Sequence, residues 1–203
     1  MEQILPGIFH WTTFHEGIQD RVHSYYVEAT DPAVLIDPRV PDAGLDWFRG
    51  HETPRHVYLT NRHHYRHSDR FAAAFGCQVW CHEAGLHEFT HGEQVTAFEH
   101  GDRLPGGVTA LEVGALCPEE TALYLPLSGG VLALGDSIVR DDRGRLAFVP
   151  DSLMGDDPEA VKQGLREVFS QHLERDFEHL LLAHGKPVIG MAKDELRDFL
   201  EGV

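Results

Sequence analysis

His56-Val57-Tyr58-Leu59-Thr60-Asn61-Arg62-His63-His64-Tyr65-Arg66-His67-Ser68-Asp69 begins with apolar, β-branched and aromatic residues and turns abruptly into a cluster of histidine and arginine. A short apolar run that breaks this way reads as a buried strand delivering polar side chains at its C-terminal end. Open α/β sheets bind ligands at such ends. Two later stretches share the pattern: Val131–Leu134 is followed by Gly135-Asp136, and Leu180–Ala183 by His184. Three buried strands that each release a residue of metal-ligand type predict one site at one rim.

The rest of the chain sets limits on that site. Its 203 residues suffice for one compact domain, and no repeat, low-complexity tract or linker divides residues 1–203. Seventeen basic residues against 33 acidic ones give a formal charge of −16. That balance argues against nucleic acid or an anionic membrane as partner, since both need a basic footprint. No apolar run approaches the roughly 20 residues of a membrane span, and Met1–Trp11 lacks the pattern of a signal peptide. Cys77, Cys81 and Cys117 are an odd, small set that suits a reducing compartment, with the cysteines as small buried groups. The expectation is a soluble, cytoplasmic protein. Fifteen histidines are unusual for this length; His82, His87, His91 and His100 have polar neighbours and no ligand spacing, and read as surface residues.

Taken in order, residues 4–12 form an edge strand broken at Pro6-Gly7, and 22–29 a strand that turns at Thr30-Asp31-Pro32 into the run 33–36. Asp42 caps a short helix carrying Leu45, Trp47 and Phe48. Ser68 caps a helix over 69–75 that Gly76 stops. Strand 78–81 follows, and 83–93 is a loop or short helix. From about residue 94 the chain is strand-dense, with a hairpin turn at Ser128-Gly129-Gly130. Asp157-Pro158 starts a helix whose Val161, Leu165, Val168 and Phe169 share a face. A strand over 179–183 and a closing helix complete two sheets with helices on their outer faces.

In this arrangement the chain resembles the metallo-β-lactamase superfamily. VLIDPRVPD (34–42) resembles the family's strand ending in Ile-Asp-Pro, and LTNRHHYRHS (59–68) stands where the family has Thr-His-x-His-x-Asp-His. VGALCPEETALYL (113–125), ALGDSIV (133–139) and LLAHGKPVIG (181–190) match its later motifs in order. The resemblance spans nearly the whole chain. It implies a four-layer αββα sandwich, one or two bound metals, and hydrolysis of a thioester, ester or amide by a metal-activated water. Carried over position by position, the family's ligands fall on Asn61, His63, Tyr65, Arg66, Leu116, Asp136 and His184. His63, Asp136 and His184 are thus the surviving metal ligands, and the dinuclear site is eroded.

Two expectations follow for the centre. In the first the site is metal-free, because a guanidinium ~4 Å from a dication at an effective dielectric of ~20 is repelled by about 8 kcal/mol; Arg66 instead pairs with Asp136 and fills the metal's place. In the second, His64 or His67 swings in beside Asp136 and His184, giving a two-histidine, one-carboxylate set suited to a single Zn²⁺, Fe²⁺ or Mn²⁺. The function expected is weak or non-standard hydrolysis of a small (thio)ester or amide, with Asp136 or His63 as general base. The alternative is a non-catalytic protein that binds a small anionic ligand in the same cleft through Asn61, His64 and Arg66.

Overall fold

The computed structural model of the protein describes residues 1–141 and 143–202. β1 (Glu2–Leu5), β2 (Ile8–His15) and β3 (Asp20–Val27) form an antiparallel meander. β4 (Val34–Ile36), β5 (His56–Tyr58), β6 (Gln78–His82) and β7 (Val95–Phe98) extend it into a seven-stranded sheet in sequence order. From β4 onward the pairing is parallel, which requires crossovers. The helical turn Leu45–Gly50 provides one, and α1 (Ser68–Phe75) provides the next.

The second sheet begins antiparallel with β8 (Arg103–Leu104), β9 (Val108–Glu112), β10 (Thr121–Leu125) and β11 (Val131–Leu134). A separate hairpin follows, β12 (Ile138–Arg140) with β13 (Leu146–Phe148). α2 (Pro158–His172) then returns the chain so that β14 (His179–Leu182) pairs parallel with β11. β15 (Val188–Ile189), in a stretch without a strand signal in the sequence, and α3 (Ala192–Gly202) close the chain. The spatial order of this sheet is β15-β14-β11-β10-β9-β8.

Three apolar layers hold the elements together. Tyr25, Ile36 and Tyr58 meet Leu123, Ala133 and Leu181 between the sheets. On the outer face of the first sheet, Phe71 of α1 packs with Phe48, Val57, Leu59 and Val79. On the outer face of the second, Leu165, Phe169 and Leu196 of α2 and α3 cover Leu132, Leu134, Leu180 and Leu182. Strands covered on both faces read as continuous apolar runs rather than alternating ones. The layering is helix, sheet, sheet, helix.

The local signals are met in part. Asp157 accepts the N–H of Ala160 at 3.0 Å and Pro158 opens α2. Gly76 ends α1 in the left-handed region. Ser68, however, is the first residue of α1 and gives no side-chain cap, and the Leu45–Gly50 turn follows Gly44 with no cap from Asp42. His82 is buried and stacks on His100, with ring centroids 3.9 Å apart, because it ends β6 facing Phe98; only His87 and His91 of the four are exposed. Burial pushes the thiols of Cys77, Cys81 and Cys117 up to about 12, so they are unreactive. No helix among the described residues is long and apolar enough to cross a membrane.

At Gly130, with φ +95°, a Cβ would stand 2.2 Å from the Asp176 carbonyl oxygen. Gly130→Ala is expected to cost about 2–3 kcal/mol through left-handed strain and overpacking. A fall in the urea midpoint at unchanged slope would register it.

Candidate metal centre

The site is assembled where parallel strands end together. β4 and β5 run in register, Ile36 opposite Tyr58, and β11 and β14 do so with Leu134 opposite Leu182. The next residues, Asp37 and Thr60-Asn61 in one sheet and Asp136 and His184 in the other, therefore emerge at one rim. Backbone bonds tie the sheets there: His23 N–H donates to Ala183 O and Thr121 N–H to Thr60 O, each at 3.0 Å. The Tyr25 hydroxyl bridges the sheets as well, donating to Leu182 O at 2.8 Å and accepting from its N–H at 3.0 Å.

Beyond β5, the Asn61 side chain accepts the His63 N–H at 2.9 Å and starts the helical turn Arg62–Tyr65. This turn sends His64 inward, where it is 4% exposed. His64 Nδ1 lies 3.0 Å from Asp37 Oδ2, and its Nε2 lies 3.0 Å from Asp136 Oδ1. His184 Nε2 reaches the same Asp136 oxygen at 3.2 Å. One ligand atom from each of His64, Asp136 and His184 lies within 4.8 Å of the others. Asn61 Nδ2 donates to Asp136 Oδ2 at 3.3 Å.

Solved structures share this architecture. A metallo-β-lactamase family protein from Thermus thermophilus has a TM-score of 0.69 at 14% identity, over 98% of this chain and 80% of that one. TTHA1623, in a di-iron-bound form, has a TM-score of 0.67 at 23% identity, over 88% of this chain and 94% of that one. An archaeal metallo-β-lactamase superfamily protein, ST1585 from Sulfolobus tokodaii, has a TM-score of 0.66 at 13% identity, covering 97% and 85%. The chain has the metallo-β-lactamase fold. No family model and no curated protein matches the sequence.

Within that fold the centre departs from the sequence reading in two respects. His63, expected as a surviving ligand, lines the cleft wall but stands outside the cluster; His64 joins Asp136 and His184, as the second of the two expectations had it. The Asn61-capped turn, not position along the motif, decides which histidine faces in. Arg66 is drawn inward, but it does not pair with Asp136: its Nη1 donates to the carbonyls of His23 and Asp37, both at 2.7 Å. No Arg66–Asp136 ion pair exists among the described residues. His67 accepts the Val40 N–H at 3.0 Å and is structural.

The cation beside Asp136 is His64. Burial alone would lower its pKa, but the carboxylates of Asp136 and Asp37 outweigh burial and push it up to about 9. Burial works the other way on Asp136, and His64 and His184 overcome it, holding the carboxyl well below its usual range. Asp37 is likewise lowered against its burial, by His64, Arg66 and Thr60; the Thr60 N–H donates to it at 2.9 Å. Two carboxylates, the His64 imidazolium and Arg66 sum to zero.

The residues also fit a metal. Asp136 Oδ1 is buried and lies 3.0 and 3.2 Å from two imidazole nitrogens, so three ligand-type atoms converge on one point. Two imidazoles and a carboxylate suit one Zn²⁺, Fe²⁺ or Mn²⁺. Asp37 on the far nitrogen of His64 supplies the outer carboxylate that orients metal-bound histidines. Asn61, Tyr65, Arg66 and Leu116 offer nothing comparable for a second ion.

Two further residues escaped the sequence reading. Asp37 ended a recognised strand motif, but its hold on His64 depends on a turn 27 residues away. Glu120 is fully buried and accepts both the N–H of Ser137, at 2.7 Å, and its hydroxyl. Burial, partly offset by those bonds, pushes its carboxyl up to about 7. It pins the peptide that follows Asp136.

Proposed function

We propose that the protein is a hydrolase with one divalent ion on His64, Asp136 and His184, acting weakly on a small anionic thioester, ester or amide. The convergence of these three side chains on one point at the floor of a cleft of about 670 Å³ carries the proposal. A divalent ion held there supplies Lewis-acid polarisation and lowers the pKa of water. His63 on the cleft wall is the candidate base. Burial, with Arg62 adding to it, keeps its pKa below the ordinary histidine value, so it is neutral and able to take a proton at pH 7. Asn61 holds the second oxygen of Asp136, and so the direction of the first. Arg21, Arg66 and Arg140 line the cleft against Asp20 and Asp136, which supports an anionic substrate on an otherwise acidic protein.

A second reading is a metal-free protein that binds a small anion in the same cleft. The observation in its favour is that the buried charges already balance with His64 protonated. Release of p-nitrophenol or thiol from small acyl esters and thioesters, by protein loaded with Zn²⁺, Fe²⁺ or Mn²⁺ and by chelated protein, separates the two. The hydrolase reading predicts turnover that needs metal and falls at least 100-fold in Asp136→Asn. Turnover equal with and without metal, or equal in Asp136→Asn, would refute it.

A further inference from the structure

The cleft is polarised along its depth. Its floor carries His64, Asp136, His184 and Arg66, and its mouth carries two large aliphatic side chains left in water, Ile18 at 53% and Leu153 at 65% exposure, beside the exposed Asp20 and Arg21. Ile18 sits in the turn between β2 and β3, and Leu153 in the helical turn Asp151–Leu153 that follows β13. Val139, Val149 and Pro150 add apolar lining to the same cleft. Scattered exposed apolar residues need no explanation, but apolar side chains gathered at the mouth of a charged cleft mark a binding surface. A volume of about 670 Å³ is also more than a two-carbon acid requires and falls in the range of ligand pockets.

We infer that the ligand is an amphiphile: a carboxylate or acyl-ester head on the charged floor, joined to an aliphatic chain that leaves along Pro150 and Val149 between Ile18 and Leu153. This deepens the cleft reading above by naming the part of the substrate that does not react. Ile18 and Leu153 determine chain length; they hold the chain without touching the reacting atoms.

Calorimetric titration of the chelated full-length protein with butyrate, hexanoate and octanoate tests this without relying on turnover. A fully buried methylene is worth about fourfold in affinity, so about twofold to fourfold per methylene is expected at a half-open mouth. In Ile18→Ser/Leu153→Ser, whose positions are exposed and whose fold is checked by an unchanged Tm, the three acids should bind within about twofold of one another. Octanoate binding no more tightly than butyrate, no saturable binding of any of the three, or an undiminished chain-length gain in the serine variant would overturn the inference. Absent hydrolysis with chain-dependent binding would sink only the hydrolase reading. Turnover of esters at rates independent of chain length would spare that reading and overturn this one.

Discussion

Asp37→Ala is expected to lower stability by about 3–5 kcal/mol, the range for breaking a buried charge pair from one side. The carboxylate is 2% exposed and serves four partners: the Thr60 N–H, the Thr60 hydroxyl, His64 Nδ1 and, through its field, Arg66. Its loss leaves two buried cations sharing Asp136 and strands the Thr60 donors. For a chain of this length the Tm should drop by roughly 6–20 °C. Asp37→Asn keeps an acceptor for Thr60 and should cost less. Urea unfolding in the presence of chelator measures the difference, and a loss under about 1 kcal/mol for the alanine variant would show that the Asp37–His64 link does not organise the centre.

Metal affinity should rise about 50-fold between pH 7 and 9. A metal needs neutral imidazole, and His64 holds its proton up to about 9. Each pH unit below that value costs about tenfold. The metal-free fold responds in the opposite sense. Because the folded pKa of His64 is raised above its ordinary 6.5, its stabilisation is fully present below pH 6.5. It declines as pH rises and is lost above about 9. The total is about 3 kcal/mol for a shift of this size. Chelated protein should therefore melt at lower temperature at pH 9.5 than at pH 7, while His64→Ala should show little of that slope. Asp37 and Asp136, with lowered pKa values, add a separate loss on the acid side, below the ordinary carboxylate range. A metal affinity independent of pH from 7 to 9 would contradict the assignment of His64.

How much of this was legible in the sequence depended on whether the signal was local. Val57–Thr60, Val131–Leu134 and Leu180–Ala183 are continuous apolar runs because helices cover one face of each strand and the opposing sheet covers the other, so their place in the sandwich could be read directly. Asp136 and His184 follow such strands in register, and both reach the centre. His63 and His64 are adjacent, and which one turns in is set by the Asn61 side chain bonding the His63 N–H, a choice that composition and spacing do not encode. Arg66 reads from the sequence as a buried cation, but its anchor is two backbone carbonyls, which have no sequence signature. Glu120 lies 17 residues before the serine it binds and looks like any charged turn.

His64, Asp136 and His184 converge on one point, and His63 stands outside it. The direct measurement is the stoichiometry and affinity of Zn²⁺ or Mn²⁺ binding at pH 8.5 for wild type, His63→Ala, His64→Ala and His184→Ala. One ion per chain is expected, with affinity lost by at least 100-fold in the His64 and His184 variants and changed by less than about threefold in His63→Ala. Two ions per chain, or a loss in His63→Ala as deep as that in His64→Ala, would contradict it.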